Sequence, residues 1–321
     1  MNVIPPEELR RRIAALPWTN QNMELAPGVW TVPGTLPILH DPRVRCAVRT
    51  VQGLFGRDLA GVRVADLGCL EGGISLAFAL EGAEVLGIEG REANMAKCEL
   101  VRDAAGMPNL RFALDDVRRF TRERYGEFDV VLVCGLLYHL DEPVAWLRQA
   151  AECARRVIFV DTHFAPETDA GVAAMDTMPF FDLKANPLGP LLDVSDGAGD
   201  YQGRWWFEFP EAASAGDRAK LLWASLDNPR SMWLTRRSIY RLLGNCGFES
   251  VGERLDFAPA DEIPALLLEK SRSCFAGIRT GGSDERSVRR DAGTLPAALR
   301  RLRSDWRLHG PRAALARMMG F

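Results

Sequence analysis

The residues that could do chemistry stand at the ends of short apolar runs. Asp66, Gly68, Cys69, Leu70 and Gly72 lie between the run Val62 to Leu67 and a helical apolar pattern that starts at Ile74. Strand, turn and helix in that order turn a helix N-terminus and its N–H groups toward a ligand. The glycines reach backbone angles closed to other residues and carry no Cβ to hold a ligand off the main chain. A second run, Glu84 to Ile88, ends in Glu89 and Gly90, about 20 residues beyond the turn, where nucleoside-binding folds place an acid that accepts from ribose hydroxyls. A third ends in Asp115, Asp116 and Val117, a fourth in Cys134 and Gly135 followed by Tyr138 and His139, and a fifth in Asp161 followed by His163. His139 and His163 are the candidate bases, wanted only if an acceptor must lose a proton.

Strands must bring these groups to one edge. Five apolar runs separated by helical patterns imply a parallel sheet whose ligands sit at its carboxyl edge. Phe128 to Cys134 is a continuous apolar run of the kind a central parallel strand requires. Helices are expected over 6–15, from the Asp41 cap to Phe55, over 91–101, as one short polar helix over 117–124, from Asp141 to Ala154, and over 235–243. Two further strands, 248–257 and 273–278, with a helix over 260–268 between them, complete the sheet. The span 162–234 is rich in Gly, Pro and aromatics and too long for an ordinary connection, which marks a lid or binding element. Within it, Trp205, Trp206 and Trp233 offer aromatic walls, and Tyr201, Arg204 and Asn228 offer directional polar contacts.

Taken together, the glycine loop, Glu89, Asp115-Asp116-Val117 and the segment Cys134 to His139 resemble the successive motifs of class I S-adenosylmethionine-dependent methyltransferases over residues 60–165. The resemblance implies an α/β, Rossmann-like, seven-stranded sheet and S-adenosylmethionine as cofactor. Asp66, Gly68 and Gly72, with Cys69 and Leu70, then correspond to the loop around the methionine moiety, and Glu89 with Gly90 to the ribose site. Asp116, between Asp115 and Val117, corresponds to the acid at the adenine amine, and Cys134, Gly135 and Tyr138 to the floor beneath the sulfonium. Leu70 departs from the pattern, standing where the family usually has a glycine. The leader from Trp18 to Gly34 is similar to that of the tRNA wobble-uridine carboxymethyl/methoxy transferase group and its uncharacterised relatives, and could pack over the domain edge or serve as a flap.

The expected organisation is a leader and helix over 1–58, a methyltransferase domain over 59–280 with the lid at 164–234, and a basic helical tail over 281–321. With 321 residues, 47% hydrophobic, the chain can bury a sizeable core. Its net charge of −3 gives no field that would gather polyanions. Seven scattered cysteines form neither close metal-ligand pairs nor an even disulfide framework, which points to no metal and a reducing compartment. With no targeting or membrane-spanning segment visible, a cytoplasmic protein is expected. The acidic balance and aromatic lid favour a small-molecule methyl acceptor, with oxygen, nitrogen and carbon open as the acceptor atom. A tRNA wobble nucleotide, with S-adenosylmethionine or its carboxylated form, is the alternative that the leader and arginine-rich tail suggest. A non-catalytic cofactor-binding partner protein is the third reading.

Overall fold

The computed structural model describes residues 4–177, 181–209, 213–255 and 271–280. The helix expected over 260–268 and the basic tail lie outside the described residues. The leader comprises α1 (Pro6–Ala14), the two-stranded ribbon of β1 (Glu24–Ala26) and β2 (Val29–Trp30), and α2 (Pro42–Phe55). Pro6 and Pro42 stand in the first helical turns, where their missing N–H costs nothing. Asp41 caps α2 by accepting from the Arg43 amide.

Next come β3 (Arg63–Leu67), α3 (Gly73–Leu80), β4 (Glu84–Glu89), α4 (Glu92–Ala105), β5 (Leu110–Leu114), α5 (Arg122–Tyr125), β6 (Phe128–Cys134), α6 (Pro143–Glu152) and β7 (Ala154–His163). The single helix expected over 117–124 is interrupted. A 3-10 turn at Val117–Arg119 stops where Phe120 enters the core with no exposed surface, and Thr121 caps α5 afresh. Two apolar layers hold the sheet. One gathers Val131, Val133, Leu147 and Phe275, and the other gathers Val130, Leu132, Phe78 and Phe159. Adjacent residues of β6 thus pack on opposite faces, which explains its unbroken apolar run.

The insertion has a fold of its own. It contains α7 (Asp169–Asp176), β8 (Leu192–Ser195), β9 (Asp200–Phe207), α8 (Ala215–Lys220) and β10 (Arg230–Leu234), the strands forming an antiparallel sheet in the order β10-β9-β8. The chain returns through α9 (Arg236–Asn245), β11 (Ser250–Arg254) and β12 (Arg272–Ile278). The main sheet runs β11-β12-β7-β6-β3-β4-β5, with β12 antiparallel to both neighbours and the central pairs parallel. Among the described residues no helix is long and apolar enough to cross a membrane.

Candidate active site

A cavity of about 740 Å³ opens along the carboxyl ends of β3, β4, β6 and β7. One half is lined by Gly68, Leu70, Glu89, Gly90, Asp116 and Val117. Gly68 has φ of 66°, and a Cβ there would come 3.1 Å from a Leu136 methyl. Leu70 takes the left-handed conformation with φ of 57°. Its amide donates to Glu89 Oε2 at 2.9 Å and its carbonyl accepts from Cys98 Sγ at 3.4 Å, so bonds at both ends hold the strained residue. Glu89 Oε1 accepts from the Arg91 amide at 2.9 Å. Burial pushes the Glu89 carboxyl up, opposed by the Arg91 amide, Asn94 and the Leu70 amide.

Not every residue of the expected cofactor set reaches this cavity. Asp66 lies beneath the loop and accepts from Ser75 Oγ at 2.6 Å; burial pushes its carboxyl up to about 6. Cys69 packs in a buried cluster with Met95 and Cys98. Gly72, with φ of 83°, is the N-cap of α3, and a Cβ there would come 2.7 Å from Phe112. Asp115 accepts from Tyr125 Oη at 2.5 Å and Arg124 Nε at 2.8 Å and braces the loop from outside. Asp116 does line the cavity, with its carboxylate held by the Arg118 amide and guanidinium.

The leader closes one side of the cavity. Glu71, wholly buried, accepts from the amides of Thr19 at 2.5 Å and Gln21 at 2.8 Å and pairs with the equally buried Lys97 at 3.0 Å. Gln21 Oε1 in turn accepts from the Gly73 amide at 2.7 Å, at the start of α3. Thr19, Asn20, Gln21 and Leu36 are therefore cavity wall, the flap position of the two open to the leader.

The other half holds His139, Tyr138, His163, Trp206, Trp233 and Phe181. Trp233 stacks on His163 at 5.0 Å and on Trp206 at 4.7 Å, and its Nε1 donates to the Tyr138 carbonyl at 2.8 Å. Beside them lies an ion network. Arg272 holds Asp161 through two bonds of 2.9 and 2.7 Å, and Arg43 approaches Asp161 at 3.6 Å while bound to Asp41 at 2.7 Å. Burial pushes the Asp161 carboxyl up, but Arg272 and Arg43 more than offset it and hold it at about 2.

The two histidines separate clearly. His163 Nδ1 lies 3.1 Å from the Ser271 carbonyl and its Nε2 3.3 Å from Arg272 Nη1, so one nitrogen donates and the other accepts. Burial, with Arg272 next, pulls its pKa well below the usual value. Both ring nitrogens of His163, expected from its position as a base, are thus engaged within the fold. His139 Nδ1 lies 2.7 Å from Glu208 Oε1, and among the described residues its Nε2 has no hydrogen-bond partner.

Three of the expected acceptor contacts turn away. Tyr201 is 1% exposed and its hydroxyl meets Arg148 Nη2 at 2.6 Å and Asn245 Nδ2 at 3.0 Å. Arg204 is buried and donates to the Pro166 and Gly189 carbonyls. Trp205 lies under the Arg230 guanidinium, 4.0 Å from its centroid, because strand alternation gives the cavity to its neighbour Trp206. Asn228 and Trp233 remain on the cavity. Sequence reasoning named Trp206 among the aromatic walls but gave no role to Arg43, Asp161, Arg272, Trp223 or Glu208. Asp161 alone had a signal, as the acid that ends the fifth apolar run.

Sheet order, antiparallel β12 and a ligand-sized cavity at the carboxyl edge are those of class I methyltransferases. Residues 64–157 match the family described as "Methyltransferase domain". It is similar to the ubiquinone biosynthesis O-methyltransferase of Ruegeria pomeroyi, with 30% identity over 158 residues, 46% of this chain and 58% of that protein. The enzyme of the same name from Acinetobacter baylyi is 26% identical over 148 residues, 46% of this chain and 57% of that one. The matched part thus spans less than two thirds of these curated relatives. Among solved structures, the N-terminal domain of EvdMO1 is 26% identical, with 86% of this chain and 97% of that one covered and a TM-score of 0.60; it was crystallised in the presence of SAH and D-fucose.

Proposed function

We propose that the chain is an S-adenosylmethionine-dependent O-methyltransferase acting on a small hydroxylated molecule. The observation that carries this reading is that Glu89 and His139 face one cavity, a nucleoside-type acid in one half and an available imidazole in the other. The residues fit the cofactor. Glu89 is a buried carboxylate beside positive-φ backbone at Gly68 and Leu70, and the cavity falls in the range of roughly 300–1,000 Å³ that small-ligand sites occupy. Glu89 would hold the ribose hydroxyls, Asp116 with Val117 the adenine, and Gly68 and Leu70 the main-chain side of the methionine moiety. When bound, S-adenosylmethionine supplies an electrophilic methyl group on a sulfonium.

The protein's own work is alignment, exclusion of water and removal of one proton. Tyr138, Trp206 and Trp233 give an acceptor an aromatic face, and Asp161, Arg272 and Arg43 give it alternating acceptors and donors. That combination suits a molecule with apolar faces and several hydroxyls. Relatives named as O-methyltransferases, and a neighbour crystallised in the presence of SAH and D-fucose, support oxygen as the acceptor atom. The tRNA wobble-uridine reading has no counterpart in the cavity wall, which is aromatic and internally ion-paired. The seven cysteines, none joined in a disulfide among the described residues, support a reducing, cytoplasmic setting.

Calorimetry with S-adenosylmethionine, then transfer of a labelled methyl group to cell extract split into metabolite and RNA fractions, tests the proposal. Binding and label in the metabolite fraction are expected; label in RNA alone sinks the small-molecule reading. Glu89→Gln is expected to weaken cofactor binding by about 1.5 kcal/mol, since a charge-assisted acceptor is lost. Unchanged affinity in the folded variant would remove Glu89 from the ribose site.

A further inference from the structure

Glu208 follows β9 in the insertion, and its side chain is only 5% exposed. Its Oε1 receives two bonds, from His139 Nδ1 at 2.7 Å and from Ser231 Oγ of β10 at 2.5 Å. A carboxylate only accepts, so Nδ1 of His139 carries a proton, and in the neutral ring Nε2 then carries the lone pair. Among the described residues Nε2 has no hydrogen-bond partner, and His139 lines the cavity. The backbone on both sides is tied down as well. The His139 carbonyl accepts from Asn228 Nδ2 at 3.0 Å, and the Leu140 carbonyl accepts from the Met232 amide at 2.8 Å.

We propose that Glu208 is a positioning residue that makes His139 the base of the transfer: it fixes the tautomer with Nε2 open to the acceptor and stabilises the imidazolium that forms. The inference rests on the O-methyltransferase reading given above. The acceptor hydroxyl gives its proton to Nε2 as its oxygen forms a bond to the methyl carbon. The carbon–sulfur bond breaks with the electron pair staying on sulfur. Glu208 faces the resulting imidazolium, which releases the proton to solvent once the product leaves. His139 comes from the end of β6 and Glu208 from the insertion, so the base is complete only when the insertion is docked over the sheet edge.

The other titratable groups around His139 do not substitute for Glu208. Tyr138 lies 4.2 Å away between ring centroids, and burial pushes its phenol up. His163 is held neutral against Arg272, whose own charge is spent on Asp161. Glu208 is thus the only carboxylate bonded to the ring among the described residues.

The chain has four histidines, so nitrogen NMR of protein labelled only at histidine resolves them individually, and His139→Asn assigns the ring by loss of its signals. The expected result is a neutral-ring tautomer protonated at Nδ1, with the population moving toward the Nε2–H tautomer in Glu208→Gln and less so in Glu208→Asp. A neutral ring protonated at Nε2, or a tautomer balance identical in Glu208→Gln, overturns the inference. Should Glu208→Gln fail to fold, the wild-type tautomer still decides. Calorimetry with S-adenosylmethionine on the same sample keeps the two proposals apart. Absent cofactor binding fails the methyltransferase reading, whereas binding with the wrong tautomer fails only Glu208.

Discussion

At the scale of single residues, Leu70 shows how a side chain survives where the backbone favours glycine. A left-handed conformation costs a non-glycine residue about 1 kcal/mol, and Leu70 holds it through bonds to Glu89 and Cys98. Leu70→Gly removes that strain but loosens the unfolded chain by a similar amount. Stability within about 1 kcal/mol of the parent is expected by chemical denaturation, with cofactor affinity within about threefold in calorimetry. A larger loss of affinity would mean that the Leu70 side chain itself packs on the ligand. Arg272 behaves differently, because removing it leaves Asp161, with 7% of its side chain exposed, only the more distant Arg43 at 3.6 Å. Arg272→Met should cost about 3 kcal/mol in denaturation at pH 7. The sign with pH follows from the depressed carboxyl. Asp161 titrates at about 2 in the fold against a usual 3.8, so its contribution is complete above about pH 4 and is lost as pH falls through 2. The wild type should therefore lose stability over that window, and the variant should lack this component of the loss. The positions of Glu89, Asp116 and His139 on the cavity were legible because local order places them just at or after strand ends, whereas Asp66, read by the same rule, lies beneath the loop. The partnership of Asp161 with Arg272 was not legible, since the two are 111 positions apart and meet only when β12 pairs with β7.

At the scale of elements, the leader is fastened through one buried carboxylate. Glu71 accepts from the Thr19, Asn20 and Gln21 amides and pairs with Lys97, and neither charged side chain has any exposed surface. A buried pair is a poor source of net stability, but breaking it leaves an uncompensated charge. Lys97→Met should cost about 3 kcal/mol or more in denaturation. Hydrogen exchange should also quicken at the Thr19 and Gln21 amides. Slow exchange in the variant would mean that apolar packing of Met23 and Ile38 holds the leader unaided. Strands β3 to β7 were readable from apolar runs, and β7 runs past Asp161, where its apolar run ends, because Thr162 and His163 pair with β12. The sheet of the insertion was not readable. β9 carries Gly203 and Arg204 in mid-strand, and only pairing with β8 and β10 makes sense of its alternation. Gly203 is required there because a Cβ would come 2.7 Å from the Trp233 carbonyl.

At the scale of the whole molecule, the insertion spans both halves of the cavity. One arm brings Trp206 and Trp233 over the acceptor half. The other arm, residues 222–226, lies along the nucleoside edge. There Arg91 Nη2 donates to the Ser225 carbonyl at 2.6 Å, Asn94 Nδ2 to the Leu222 carbonyl at 3.0 Å, and Arg118 bridges Asp116 and Asp227. A lid confined to the acceptor, which sequence position suggested, would leave cofactor affinity untouched by every substitution in it. The observed placement sets a different part of the insertion against each half of the cavity. Trp223 is 54% exposed yet lines the cavity beside Leu226, which approaches the Gly90 backbone. Bound nucleoside would cover it, so Trp223→Ala should weaken S-adenosylmethionine binding by about 1 to 2 kcal/mol, roughly five- to thirtyfold, through lost apolar contact. Trp206→Ala, at the far end, should leave that affinity within about twofold and instead raise the acceptor's KM or lower kcat, since only the aromatic wall of the acceptor half is lost. Calorimetry on both variants makes the comparison without knowledge of the acceptor. Equal losses of cofactor affinity would mean that the two arms close as one body, and loss in Trp206→Ala alone would reverse the assignment of the halves.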